Sequence, residues 1–392
     1  MSVRVKGDYR FDRVRGYLTD FRPGAGPLLF IIALLLSTTV KAGAFPPPTD
    51  SARSARPFRR VRILPVPAFG YEPETRWHVG AVGLAQWRRS AADTLRRPGS
   101  AKLEVNFTQN KQLVLTGEWN TFSPAERTLT QGLVSFLRFP ENYWGVGNDA
   151  PAAAQERYDS RRFEAKLAIL RQVRPHVFVG PRVQAQNVWR IAPAPGGLLD
   201  RRTVTGAGGG WSVGAGGAAA YDTRTSVFTP TRGTLVALSA TGFGPALGSN
   251  FRFTRYELDA RRYWPIGRRV TLAGQLVLTT HSGEPPFRML ALLGSDGPMR
   301  GYYRGRFRDR QLAAAQAEVR FPLIWRFGAA AFAGAGQVAR GFDEFNLRSL
   351  KPSLGGGLRF LVDRQENVNL RLDYAVGEAG NTGFYVSFGE AF

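Results

Sequence analysis

Residues 383–392 read Gly-Phe-Tyr-Val-Ser-Phe-Gly-Glu-Ala-Phe. Phe384, Val386, Phe388 and Phe392 share one parity. A period of two is that of an extended strand, whose successive side chains point to opposite faces. The chain is therefore expected to end in a strand with one strongly apolar face. The same alternation recurs upstream. In 101–109, Leu103, Val105 and Phe107 oppose Lys102, Glu104 and Asn106. In 254–261, Tyr256, Leu258 and Ala260 oppose Arg255, Glu257, Asp259 and Arg261, and in 367–374, Val368, Leu370, Leu372 and Tyr374 oppose Asn369, Arg371 and Asp373. The polar face carries both signs of charge.

This reading extends to sixteen strands: 61–71, 76–88, 101–109, 111–121, 129–139, 160–172, 175–190, 208–222, 232–244, 251–264, 268–281, 312–322, 325–339, 352–362, 366–377 and 382–392. Pro65 and Pro67 cannot donate to a ladder, so fourteen is the alternative count. Tight turns (Pro265-Ile266-Gly267, Pro322-Leu323-Ile324) contrast with long connections at 89–100, 140–159, 191–207 and 282–311. A soluble β-sandwich would share the alternation. Three features tip the reading toward a membrane barrel, with a secreted soluble protein as the alternative: a signal-peptide pattern near the N-terminus, numerous strands with short connections, and a last strand that runs to Phe392. Leu28 to Leu36, LLFIIALLL, is too short to span as a helix. Basic Arg22 precedes it and Ala42-Gly43-Ala44 follows, the pattern of a secretory signal peptide. The alternative is a retained anchor. Residues 1–44 are read as a signal peptide with an extended n-region, cleaved after Ala44, and 45–60 as a flexible leader rich in Pro, Ser and Arg. With no other stretch apolar enough for a helix, a membrane protein of this sequence must cross with strands. The expectation for 61–392 is an all-β, transmembrane antiparallel β-barrel of sixteen strands in the bacterial outer membrane.

Composition bounds the function. The 45 Gly, 27 Phe, 12 Tyr and 8 Trp suit curved strands and interfacial aromatics. The net charge of +23 invites a nucleic-acid reading, but the basic residues are spread along the chain with no recognition motif among them, so nucleic acid is not expected as a partner. Anionic lipid headgroups are the better match. The absence of Cys excludes disulfides and thiolate metal sites. His78, His176 and His281 fall on different strands with no metalloprotease spacing, and the adjacent His281-Ser282 points its two side chains apart, which is poor geometry for a triad. The Gly-rich run 207–217 lacks the Lys-Ser/Thr of a phosphate loop. No enzyme activity, cofactor or metal is expected.

Several motifs, in order, resemble those of the Omp85 superfamily, in particular barrels of the BamA/TamA and bacterial surface antigen type. Met299-Arg300-Gly301-Tyr302, inside the longest connection, resembles that family's Val-Arg-Gly-Phe/Tyr element. Glu318 to Leu323 resembles the strand and turn after it. Tyr221-Asp222-Thr223-Arg224 with Pro230-Thr231-Arg232-Gly233, Phe139-Pro140 with Tyr143 to Asn148, and the terminal Gly389-Glu390-Ala391-Phe392 match as well, the closing aromatic resembling an outer-membrane insertion signal. The resemblance implies that the long loop before the twelfth strand folds inward, with Arg300, Gly301 and Tyr302 as its anchor. A buried Arg needs a carboxylate, and Glu318 is the expected partner. Gly334 stands where the family pattern Phe-x-Asp-x-Gly has its Asp, so one carboxylate is expected to be missing. About 16 residues separate Ala44 from the first strand, too few for a POTRA domain, so a barrel-only member is expected.

The resemblance implies assistance to insertion or translocation of proteins or lipids, through a weak seam between first and last strands. The implied partners are outer-membrane lipid and lipopolysaccharide, the outer-membrane assembly machinery for its own insertion, and a periplasmic partner that delivers the client. The alternatives are a passive pore made anion-favouring by Arg182, Arg255, Arg261 and Arg371, a surface barrel whose loops bind an outside partner, and a lipid-modifying enzyme.

Overall fold

The computed structural model describes residues 61–72, 76–87, 99–109, 112–227, 229–267, 269–363 and 368–392. The expected signal peptide and leader lie outside the described residues. The strands are β1 (Val61–Glu72), β2 (Arg76–Trp87), β3 (Gly99–Thr108), β4 (Leu113–Phe122), β5 (Thr128–Tyr143), β6 (Glu156–Arg174), β7 (Val177–Ala192), β8 (Gly210–Asp222), β9 (Gly233–Phe243), β10 (Phe253–Ile266), β11 (Val270–Gly283), β12 (Ala291–Leu293), β13 (Phe307–Asp309), β14 (Gln311–Pro322), β15 (Phe327–Ala339), β16 (Lys351–Asp363), β17 (Val368–Gly377) and β18 (Thr382–Phe388). Sixteen of them form one antiparallel sheet in chain order, while β12 and β13 pair as a hairpin within the 284–310 connection. Connections therefore alternate between the two ends of the sheet. One end gathers 144–155, 193–209, 244–252, 284–310 and 340–350. The other holds the tighter turns 175–176, 267–269 and 323–326.

The alternation in sequence sets which face is covered. Leu103, Phe107, Leu115, Val134, Val183, Leu238, Tyr256, Leu276, Leu358 and Tyr374 are each at least 40% exposed. Gln184, Gln186, Gln275, Gln316, Glu318, Arg359, Arg371 and Asp373 are buried. A soluble protein buries its apolar face. Here the polar face is the inner one and the apolar face is left for lipid.

The expected closed barrel is not found. The sheet order starts at β1 and ends at β18, and among the described residues no ladder joins them. The two edges lie near each other, with Val82 and Leu84 of β2 clustered with Val368 of β17 and Phe388 of β18. Two features of the edges oppose a ladder. Pro65 and Pro67 remove two N–H donors from β1. β18 is only seven residues long.

A second correction concerns the C-terminus, where a strand to Phe392 with that ring on the apolar face was expected. β18 stops at Phe388, and Gly389 turns the chain with φ +81°, a conformation Gly adopts at no steric cost. Phe392 is folded inward beside Tyr263 and Ala273. Its carbonyl accepts from Arg320 Nη2 at 2.9 Å and its ring lies under the same guanidinium. The buried arginines of the inner face outweigh the apolar parity of one terminal ring.

Leu238 is 50% exposed at the middle of β9. Leu238→Arg is expected to cost about 2–4 kcal/mol of folding free energy in lipid vesicles, read by denaturant titration. An unchanged value would mean that this face does not meet hydrocarbon.

Candidate functional site

The 284–310 connection enters the inner face of the sheet. Arg300 is fully buried. Its Nη2 meets Glu318 of β14 at 2.6 Å, and its Nη1 meets Asp373 of β17 at 2.5 Å. Glu318 lies seven residues into β14, so the loop tip descends roughly 23 Å along the wall at ~3.3 Å per residue. The Phe332 ring lies 3.4 Å from the guanidinium carbon, a desolvated cation–π contact. The backbone is held too. Ser353 donates its hydroxyl to the Arg300 carbonyl, and Gly301 donates its N–H to the Tyr385 hydroxyl at 2.9 Å. The Tyr302 hydroxyl donates to the Pro352 carbonyl (2.6 Å) and accepts from the Glu378 N–H (2.7 Å). Burial pushes the Tyr302 phenol above its usual range.

The charges here balance. Arg320 pairs with Glu318 (2.6 Å) and Glu390 (3.5 Å), and Arg359 with Asp373 (2.5 Å) and Glu390 (2.8 Å). Arg371 pairs with Asp296 and Asp373, each at 3.4 Å. With Arg300 this makes four guanidiniums against four carboxylates. Small residues make the packing possible. Gly301 has φ +103°, and a Cβ there would lie 2.9 Å from the Val376 backbone. A Cβ on Gly357 would overlap the Asp373 carboxylate, and one on Gly355 the Phe332 ring.

The second carboxylate is therefore present but comes from Asp373 of β17, not from position 334. A Cβ on Gly334 would lie 3.0 Å from the Ala315 carbonyl oxygen and from Gln316 Cβ, and in contact with Met299 Sδ at 3.4 Å, so the site is tight against β14 and the loop methionine. The sequence placed Asp373 on the polar parity of its strand but gave no sign of which strand faces the loop. Asp222 is buried and clasps Arg224 through two hydrogen bonds of 3.0 Å at the end of β8, while Tyr221 faces outward. That pair stands apart from the Arg300 cluster. Arg182, Arg255 and Arg261, expected to line an anion-favouring pore, are paired with Glu257, Glu257 and Asp259. His281 is buried on Arg310 and Ser282 is exposed, so the two side chains diverge. Among the described residues no group of His, Cys, Asp and Glu is arranged to hold a metal.

The sequence did not reveal a second hold on the loop. Arg288 engages Glu141 of β5, with Nη2 to Oε1 at 2.9 Å, and the Tyr158 hydroxyl of β6. Gly147 donates its N–H to the Arg308 carbonyl (2.8 Å), Arg306 donates to the Ala150 carbonyl (2.8 Å), and the Asn142 N–H donates to the Tyr303 hydroxyl (3.1 Å). The loop thus spans from the β5–β6 wall to the β14–β18 wall, with five strands of sheet between them.

Residues 103–392 match the family model of the Omp85 superfamily domain. Among solved structures, the chain is similar to BamA from Haemophilus ducreyi lacking POTRA domains 1–3, at 12% identity and TM-score 0.54, covering 84% of this chain and 70% of that one. It is also similar to CdiB from Acinetobacter baumannii (10% identity, TM-score 0.52, 84% and 60% covered) and CdiB from Escherichia coli (11%, 0.53, 85% and 63%). The chain thus spans less than two thirds of the two CdiB chains. At these identities the likeness concerns the fold. No curated protein matches significantly.

Arg300→Ala leaves four carboxylates against three guanidiniums in a buried cluster and is expected to cost about 3–5 kcal/mol, read as a lower unfolding midpoint. The double variant Arg300→Met, Glu318→Gln removes one charge of each sign, leaving three guanidiniums against three carboxylates, and is expected to recover part of that loss. Gly334→Asp crowds the Ala315 carbonyl and Gln316 beside Met299, and is expected to lower the midpoint as well.

Proposed function

The chain belongs to the Omp85 superfamily of outer-membrane proteins, and from that premise we propose that it assists insertion or translocation of proteins or lipids at the outer membrane without catalysing a reaction. The observation that carries this reading is Arg300, fully buried between Glu318 and Asp373 and drawing the long loop across the inner face. A sheet that served as a passive pore would gain nothing from such a strap. The Met299-Arg300-Gly301-Tyr302 motif supports a BamA/TamA-type member, with Arg300, Gly301, Tyr302 and Glu318 acting as the loop anchor.

The proposed working parts are the strap and the two sheet edges. β1 and β18 lie near each other without a ladder, and an unpaired edge is a template for another strand. Among the described residues, no ladder between the two edges has to be broken for opening there. The strap keeps the inner face filled meanwhile, so the membrane need not leak while the edges part. Outer-membrane lipid and lipopolysaccharide contact the apolar face in this scheme. The assembly machinery inserts the chain itself, and a periplasmic partner delivers the client.

Single-channel recording in planar bilayers tests the strap. The wild type is expected to pass little steady current, and Arg300→Ala to show larger, flickering openings. A large, steady current from the wild type would contradict the reading. An engineered disulfide between β1 and β18 is expected to abolish function in cells; full function in the locked protein would remove the edges from the mechanism.

A further inference from the structure

The two holds on the loop differ in charge. Around Arg300 guanidiniums and carboxylates are equal in number. Around Arg288 they are not. Arg288 and Arg308 are buried loop residues, Arg162 points inward from β6, and Arg304 is exposed at the loop surface. Glu141 is the carboxylate that Arg288 and Arg162 share, the latter at 3.9 Å. The next carboxylates do not make up the difference. Glu164 faces Arg162 and Arg304 but pairs with Lys166 at 2.7 Å, adding a cation for its own charge, and Glu156 accepts the Leu199 N–H at 3.0 Å. Arg308 turns Nε and Nη2 to the Gly305 carbonyl, a neutral acceptor.

Donors remain over. The Nε atoms of Arg288 and Arg162 are buried and have no acceptor among the described residues. Burial, and after it the like charges of Arg308 and Arg304, holds the Arg288 guanidinium below its usual range. Aromatic rings back the cluster, Tyr158 at 5.7 Å from the Arg288 guanidinium carbon and Tyr143 at 4.9 Å from that of Arg308. Buried guanidiniums in excess of carboxylates, with unused donors, destabilise one another unless an anion joins them. Arg presents a planar fork of donors that matches phosphate oxygens, and pairs with a dianion more strongly than with a carbonyl.

We propose that Arg162, Arg288, Arg304 and Arg308 form a binding site for a dianionic phosphate group, free or esterified at one oxygen, open to the loop end of the sheet at Arg304. The site belongs to the β5–β6 hold of the strap and does not depend on whether the β1 and β18 edges part. Occupancy fixes the loop to that wall more firmly. The phosphate can come from a lipid headgroup or from free phosphate in solution, and the chemistry is the same.

The test uses the full chain refolded in detergent micelles, with folding checked by circular dichroism, and follows inorganic phosphate by 31P NMR at constant ionic strength in chloride. Saturable binding is expected, weakened at least tenfold in Arg308→Gln and several-fold in Arg304→Gln. Arg304 is exposed, so its variant carries the test alone if Arg308→Gln does not fold. Short-chain phosphatidic acid is then added to the phosphate-loaded protein. Displacement at lower concentration than phosphate itself assigns the source to a lipid headgroup, and failure to displace assigns it to free phosphate. No saturable phosphate binding by the folded wild type, or binding unchanged in the folded variants, overturns the assignment.

Discussion

A guanidinium removed from water must be met by charge and by hydrogen-bond acceptors, or the fold pays several kcal/mol for it. Arg300 imposes that constraint on the rest of the structure. Two strands that are distant in sequence, β14 and β17, supply Glu318 and Asp373. Phe332 of β15 supplies the ring beneath it. β16, lying between β15 and β17, carries glycines at 355 and 357 because any side chain there would strike Phe332 or Asp373. Even the chain terminus complies. Gly389 turns the last residues inward, and Glu390 gives Arg359 and Arg320 a carboxylate that Glu318 and Asp373 alone could not provide.

Such a cluster is a poor device for raw stability, since apolar residues of the same volume would serve as well or better. What it supplies is position. Ion pairs with fixed geometry put the loop tip at one depth and one register against the wall. The Arg288–Glu141 hold does the same on the other side. Together they make the loop a tie between two stretches of sheet whose edges share no ladder. The tie couples the two walls through the inner face.

Much of this architecture was legible in the sequence, for physical reasons. Period-two alternation is a local property, so the strands from 101–109 to 366–377 could be read from their own residues. The Met299-Arg300-Gly301-Tyr302 element stands out by its resemblance to the Omp85 family motif, and Glu318 followed as its expected partner because a buried Arg needs a carboxylate. What was not legible depended on relations between distant strands. Whether β1 and β18 share a ladder is decided by the register of two ends some three hundred residues apart in the chain. Gly334 suggested a missing carboxylate because nothing local indicated that Asp373 would face the same arginine. Phe392 has the parity of an outward ring, and only the inward charges of Arg320 and Arg359 explain why it turns the other way. Glu141 and Arg288 carry no motif at all.

The account rests on the loop being locked to the wall at Arg300 while the sheet is in a membrane. Hydrogen–deuterium exchange of the full chain in lipid nanodiscs measures this directly, at the amide of Gly301 that donates to the Tyr385 hydroxyl. The account predicts that the segment around Gly301 exchanges as slowly as the central residues of β14 and β17. Exchange within seconds, at the rate of an unstructured loop, would contradict it.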